Sequence, residues 1–180
     1  MNSNKILIFF IMMSSVSAFK VKNCNNEQRL DSSIAYGRAL QIGQELLNQT
    51  KERLTYGPYD SKTKRKIKGA TEIIACTLKK LKKIQLTCTN KNKGIFVAST
   101  RNIFGKNVDL HNRHFQGELN EQAATVFHEV THKCWTNDRV YYRDDVITPS
   151  DDKNKNWQRT ASTYDWWFRN GVCIPGDDCD

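Results

Sequence analysis

No stretch of the 180-residue chain stays apolar for the roughly 18 residues that a membrane-spanning helix needs. Proline (3) and glycine (9) are scarce, which excludes collagen-like and low-complexity architectures. None of the six cysteines stands in a CxxC pair, so the spacing of a cysteine-built zinc site is missing. Histidine ends at His132 and glutamate at Glu129, leaving the C-terminal part of the chain only aspartate as an acidic side chain. What is present suits one folded domain. Hydrophobic residues make up 38% and aromatics 10%, too much for a disordered chain, and the length is enough to bury a core. Lysine and arginine outnumber aspartate and glutamate by 28 to 19, for a formal charge of +9.

The first 18 residues read as an export signal. Lys5 gives a positive start, Ile6 to Met13 an apolar core, and Val16-Ser17-Ala18 a small-residue cleavage site. The expected boundaries are therefore a signal peptide over 1–18 and a single domain over 19–180, secreted to the extracellular space or periplasm. Cys24, Cys76, Cys88, Cys134, Cys173 and Cys179 all fall in the exported part, and their even number predicts disulfides whose pairing the sequence leaves open.

Apolar spacing predicts a helix from Asp31 to about Leu54, a break at Tyr56-Gly57-Pro58-Tyr59-Asp60, and a second helix from Ser61 to about Lys83. Short β-rich runs follow at Gln85–Thr89, Gly94–Ser99 and Asn107–Leu110. Helical spacing returns from about Glu121 to Cys134, with Asn120 as the expected cap and Ala123, Phe127, Val130 and Cys134 on one face. A polar stretch over 144–156 reads as a loop, and a last helix is expected from Trp157 to about Arg169. The class is α+β, mainly helical with one small sheet.

The third helix carries His128-Glu129-Val130-Thr131-His132. Residues four apart share a helix face, so both imidazoles can reach one metal ion while the glutamate between them stands over its open position. Zinc takes such nitrogen and oxygen ligands, and Glu129 is then the base that draws a proton from an attacking water. With no later His or Glu, the third ligand has to be an aspartate. Asp138, six residues past His132, and the more distant Asp165 are the candidates.

Trp135-Thr136-Asn137-Asp138-Arg139-Val140-Tyr141-Tyr142 keeps the T-x-D-x-x-Y core of the GTxDxxYG segment that follows HExxH in the aspzincin peptidases, the deuterolysins and peptidyl-Lys metalloendopeptidases. Both flanking glycines of that segment are replaced. The resemblance implies a zincin-like fold with an active-site helix carrying HExxH. It also implies a secreted zinc metalloendopeptidase with one catalytic Zn2+, Asp138 as the third ligand, and Tyr141 as the donor to the carbonyl oxygen. Asn107-Val108-Asp109-Leu110 is similar to the family's edge strand. Thr160-Ala161-Ser162-Thr163-Tyr164-Asp165-Trp166-Trp167-Phe168 is similar to the segment that lines the P1′ lysine pocket of lysine-specific members. Asp165 falls where that segment has Glu and Ser162 where it has Asp, which implies a preference for Lys or Arg after the cleaved bond. The same segment also reads as a core helix packed through Trp157, Tyr164, Trp167 and Phe168.

Nine cations lie between Lys62 and Lys83, opposed only by Glu72. They form either a solvated helix face or a patch for an anionic surface. No nucleic-acid motif accompanies them, so no nucleic-acid partner is expected. The expected partner is a protein or peptide substrate, and a monomer is the expected state. Two other readings are a secreted basic binding protein or toxin with a degenerate zinc site, and a zinc amidase or peptidase acting on cell-wall peptides. Glu129 argues against the first, because a structural zinc site needs no base beside its ligands.

Overall fold

The computed structural model of the chain describes residues 20–89, 97–100, 105–138, 156–175 and 177. The expected signal peptide, Tyr141, most of the polar stretch over 144–156, and Cys179 lie outside the described residues.

Two long helices begin the fold. Helix α1 spans Asn26–Tyr56 and starts five residues earlier than apolar spacing predicts, because Asn25 builds a capping box there. Its side chain accepts from the Gln28 N–H at 2.8 Å, and Gln28 returns a bond to the Asn25 N–H at 3.1 Å. After the Gly57–Asp60 break, α2 runs over Ser61–Leu81, with the Asp60 carboxylate accepting from the Thr63 N–H at 2.6 Å. One face of α2 buries Ile67, Ala70, Ile74, Leu78 and Leu81, while its lysines point outward.

The sheet has four strands: β1 (Lys20–Lys22), β2 (Gln85–Thr89), β3 (Ala98–Ser99) and β4 (Asn107–His111), in the order β1-β2-β4-β3. The first three positions of that order pair in parallel, and β3 joins β4 antiparallel, with Ala98 opposite Leu110. Two expectations change here. Strand β1 has no counterpart in the sequence reading, since a run of three residues carries no periodicity. The resemblance casts 107–110 as the edge strand, but β4 is hydrogen-bonded on both sides and the edge on its far side is β3. That inner placement fits a run in which Val108, Asp109, Leu110 and His111 are all buried.

A 3-10 turn (Asn112–Gln116) leads into α3, Leu119–His132. Asn120 is not its cap. Glu118 holds that position in extended conformation, with a capping box to Glu121, while Asn120 lies inside the first turn and accepts from the Arg38 Nε of α1 at 3.2 Å. The expected final helix is split. Trp157–Arg159 forms a 3-10 turn, Thr160 is extended, and α4 follows over Ala161–Asn170. The interruption comes from pairing, because Asn137 and Thr160 form a parallel bridge that draws the Thr160 backbone out of helical conformation.

The core lies between the α1–α2 pair, α3 and α4. Its largest fully buried side chains include Trp157, Trp167, Tyr164 and Phe127. Two of them have their polar ends bonded: Trp167 Nε1 donates to the Cys173 carbonyl at 2.8 Å and the Tyr164 hydroxyl to the Gln158 carbonyl at 2.5 Å. Disulfides Cys24–Cys88 and Cys76–Cys134 are formed, and Cys173 is also disulfide-bonded. The first ties the N-terminal segment to β2, the second ties α2 to the turn after α3.

Candidate metal centre

His128, Glu129 and His132 occupy the last turn and a half of α3, with their metal-binding atoms all within 4.8 Å of one another. Phe127 and Val130 of the same helix are fully buried, so packing of the opposite face fixes the direction of the two histidines. Their rings meet edge to face with centroids 5.0 Å apart.

The chain then turns back over them. Cys134 N–H donates to the Thr131 carbonyl at 2.7 Å and Trp135 N–H to the His132 carbonyl at 3.3 Å, and Trp135 holds φ at +70°. That left-handed conformation favours glycine, and Trp135 stands where the GTxDxxYG segment has its first glycine. The reversal returns Thr136, whose hydroxyl lies 2.8 Å from that of Thr131. Asn137 is clamped next, donating to the Arg159 carbonyl and accepting from the Ala161 N–H, both at 3.0 Å. Asp138 is thereby held over α3, with Oδ1 3.1 Å from His128 Nε2 and Oδ2 3.3 Å from His132 Nε2.

The proton positions make this arrangement informative. His132 Nδ1 donates to the Thr136 carbonyl at 3.2 Å, so a neutral ring carries only a lone pair at Nε2. A lone pair facing a carboxylate oxygen is repulsive unless a cation stands between them or the ring is protonated. The electrostatics agree. Burial works to lower the His132 pKa, but the hydrogen bond and charge of Asp138 outweigh it and raise it. Burial likewise works to raise the Asp138 carboxyl, and the two histidines outweigh it, holding that carboxyl well below the usual range. Two imidazoles and a carboxylate demanding a positive charge are a donor set that fits zinc.

Glu129 differs from Asp138. Burial pushes its pKa up, against the pull of both histidines and a hydrogen bond from Thr100. Thr100 follows β3, and its hydroxyl, with one proton to share between the Glu129 carboxylate and the Glu129 carbonyl at 3.2 Å, ties the sheet edge to that residue. Lys133, buried next to the histidines, donates through Nζ to the Gly105 carbonyl at 2.9 Å, and burial lowers its pKa. Thr100, Thr136 and Lys133 were not singled out by the sequence. Only Thr136, inside the T-x-D-x-x-Y run, carried any signal.

The α4 residues are placed differently. Asp165 is bonded to Arg169 one turn on, not to either histidine. Ser162 is buried at the start of α4, and its hydroxyl has no hydrogen-bond partner among the described residues. The helix also packs as a core element through Tyr164, Trp167 and Phe168.

Fold and site together define a zinc-peptidase architecture: a small mixed sheet beside helices, with an HExxH group on α3. The chain is similar to a zinc peptidase from Grifola frondosa, with a TM-score of 0.68 and 15% identity over 82% of this chain and 97% of that one. No protein-family model matches the sequence, and no curated protein matches it.

Proposed function

We propose that the protein is a secreted zinc metalloendopeptidase. The observation that carries this is the pair of Nε2 atoms turned towards one carboxylate, at 3.1 and 3.3 Å, with Glu129 between the histidines on the same helix. His128, His132 and Asp138 are the ligands of one zinc ion, and the T-x-D-x-x-Y resemblance supports Asp138 in that role. Zinc bound there supplies Lewis acidity, polarising a carbonyl and making a water acidic enough to attack near neutral pH.

The chain's own groups do the rest. Glu129, its basicity raised by burial, takes a proton from the attacking water as the oxygen–carbon bond forms. It then passes that proton to the amide nitrogen, so that the C–N bond breaks to leave a neutral amine. Thr136, holding His132 Nδ1, keeps the imidazole in the tautomer that presents Nε2. Tyr141, by the same resemblance, donates to the carbonyl oxygen as negative charge develops. The leader over 1–18 supports secretion, and the two disulfides suit an oxidising compartment. Among the described residues no helix is long and apolar enough to cross a membrane.

A preference for Lys or Arg after the cleaved bond rests on Asp165 and Ser162. Because Asp165 already shares its charge with Arg169, the preference is modest, and a substrate cation has to compete with that guanidinium.

The test is to map new N-termini in a denatured protein mixture after incubation with the zinc-loaded chain. Glu129→Gln should reduce cleavage by about 10²–10⁴-fold while zinc content stays near one ion per chain. A Glu129→Gln variant as active as the parent would end the mechanism. New N-termini enriched in Lys or Arg, and losing that enrichment in Asp165→Asn, support the pocket; cleavage without enrichment discards it. Hydrolysis of cell-wall peptides alone would move the reading to an amidase.

A further inference from the structure

Between the N-terminal half of α2 and the turn after α3 runs a groove of about 940 Å³. Five cations line it: Lys62, Arg65, Lys66 and Lys68 from α2, and Arg159 from the 3-10 turn before α4, against the single carboxylate of Glu72. No ion pair or side-chain hydrogen bond to another described residue is made by any of the five. Its floor is apolar, built from Ile73 and the Cys76–Cys134 disulfide. At its rim stands Trp135, 64% exposed and held in left-handed conformation by the turn that follows His132.

We infer that this groove is a docking site for an acidic segment of a polypeptide substrate, bordered by the turn that follows His132. Three observations converge. Cations on both walls, paired with no described residue, set a positive potential that a solvated helix face alone would not enclose. A flat anionic surface would meet the outward lysines of α2 but not the recessed apolar floor or Arg159 on the opposite wall. A peptide with acidic residues around an apolar one matches all three features. From Lys62 to Ile73 the helix rises ~16 Å, room for about five extended residues. Continuity supplies the link: Cys134 and Trp135, which line the groove, belong to the turn that joins His132 to Asp138, so the groove ends on the segment that connects the two. The inference rests on the peptidase reading for what the groove serves, but binding can be read without catalysis.

The probe is a fluorescein-labelled peptide with two glutamates on either side of a leucine, compared by anisotropy with its glutamine counterpart. The full chain is used, both zinc-loaded and in chelator. At low salt the acidic peptide should bind about tenfold tighter, and the advantage should vanish near 0.5 M salt. Lys62→Glu combined with Lys66→Glu should remove it, with cleavage of a short uncharged substrate unchanged. Gly69→Leu is the neutral counterpart. An added Cβ there meets only Gln158 Cγ, at 3.7 Å, an ordinary contact, and the rest of the side chain extends into the groove that Gly69 lines; an unchanged urea midpoint confirms that the variant is folded. It too should weaken the acidic peptide about tenfold.

Equal affinity for the two peptides overturns the inference, as does full binding by the charge-reversed chain. Binding untouched by Gly69→Leu overturns it as well, because the attraction would then belong to the outer helix face. Phosphatidylserine vesicles that bind where the peptide does not would reassign the cations to a membrane surface and also overturn it. Tight acidic-peptide binding by a chain that cleaves nothing keeps the groove and removes the peptidase reading.

Discussion

Trp135 shows how one backbone torsion brings a carboxylate to two histidines. A non-glycine residue at φ +70° costs about 1–2 kcal/mol relative to glycine, and the cost is met here because the turn carries Thr136 and Asp138 back over the histidines. Trp135→Gly should therefore keep zinc affinity and change stability by less than about 1 kcal/mol, the relief of strain being offset by a freer unfolded chain. Trp135→Val, β-branched and unsuited to that region, should be about 1–2 kcal/mol less stable than the glycine variant and bind zinc more weakly. Urea unfolding and zinc titration of the two variants check both statements.

His114 is a second residue whose surroundings set its behaviour. It is 1% exposed, and neither ring nitrogen has a hydrogen-bond partner among the described residues. Burial first, and neighbouring His111 second, push its pKa down to about 4. The folded value lies below the unfolded one of about 6.5, so above that pH the ring is neutral in both states and contributes no pH dependence. As pH falls from about 6.5 to about 4, the unfolded chain gains the proton first and stability drops, by about 3 kcal/mol in total from this group. His114→Gln should flatten that part of the stability–pH curve in denaturant titrations.

Among the elements, those legible in the sequence were the ones long enough to show a period. Ile67, Ala70, Ile74, Leu78 and Leu81 mark α2, and Phe127 with Val130 gives α3 a buried side opposite the histidines, so HExxH could be placed on one helix face. From spacing alone Asp138 was one of two aspartates, and only the T-x-D-x-x-Y resemblance chose it; its position over the imidazoles depends on the Asn137–Thr160 bridge, a long-range pairing without local pattern. The same bridge breaks the last helix at Thr160, and β1 is too short to show alternation. The α1–α3 crossing was invisible for another reason. It depends on Gly43, where an added Cβ would come within 2.6 Å of Phe127 Cε2 and 3.0 Å of Leu78 Cδ2. Alanine there gains up to about 1 kcal/mol in helix propensity, but it has to displace a fully buried ring one residue before His128. The clash wins. Gly43→Ala should lower stability by about 1–3 kcal/mol and reduce cleavage as His128 is displaced, seen by thermal unfolding and a peptide assay.

On the scale of the whole molecule, the candidate metal centre has no single supporting element. Histidines come from α3, the carboxylate from a turn clamped to the start of α4, and a hydrogen bond to the Glu129 carbonyl from the residue after β3. The Cys76–Cys134 disulfide joins this assembly to α2 and lies under the basic groove. Closing a loop with a separation of 58 residues restricts the unfolded chain by about 4 kcal/mol on the chain-entropy estimate. It also anchors the residue just before Trp135, so its loss acts twice. A Cys76→Ala/Cys134→Ala pair should unfold at markedly lower denaturant concentration. Where it remains folded, it should bind zinc more weakly, because the turn that holds Asp138 then loses its covalent tie to α2. Cys24→Ala/Cys88→Ala, with a separation of 64, removes nearly the same chain entropy far from the turn. It should match the stability loss and leave zinc affinity unchanged. Equal zinc affinity in the two double variants would show that the disulfide near the site stabilises the fold without positioning the turn.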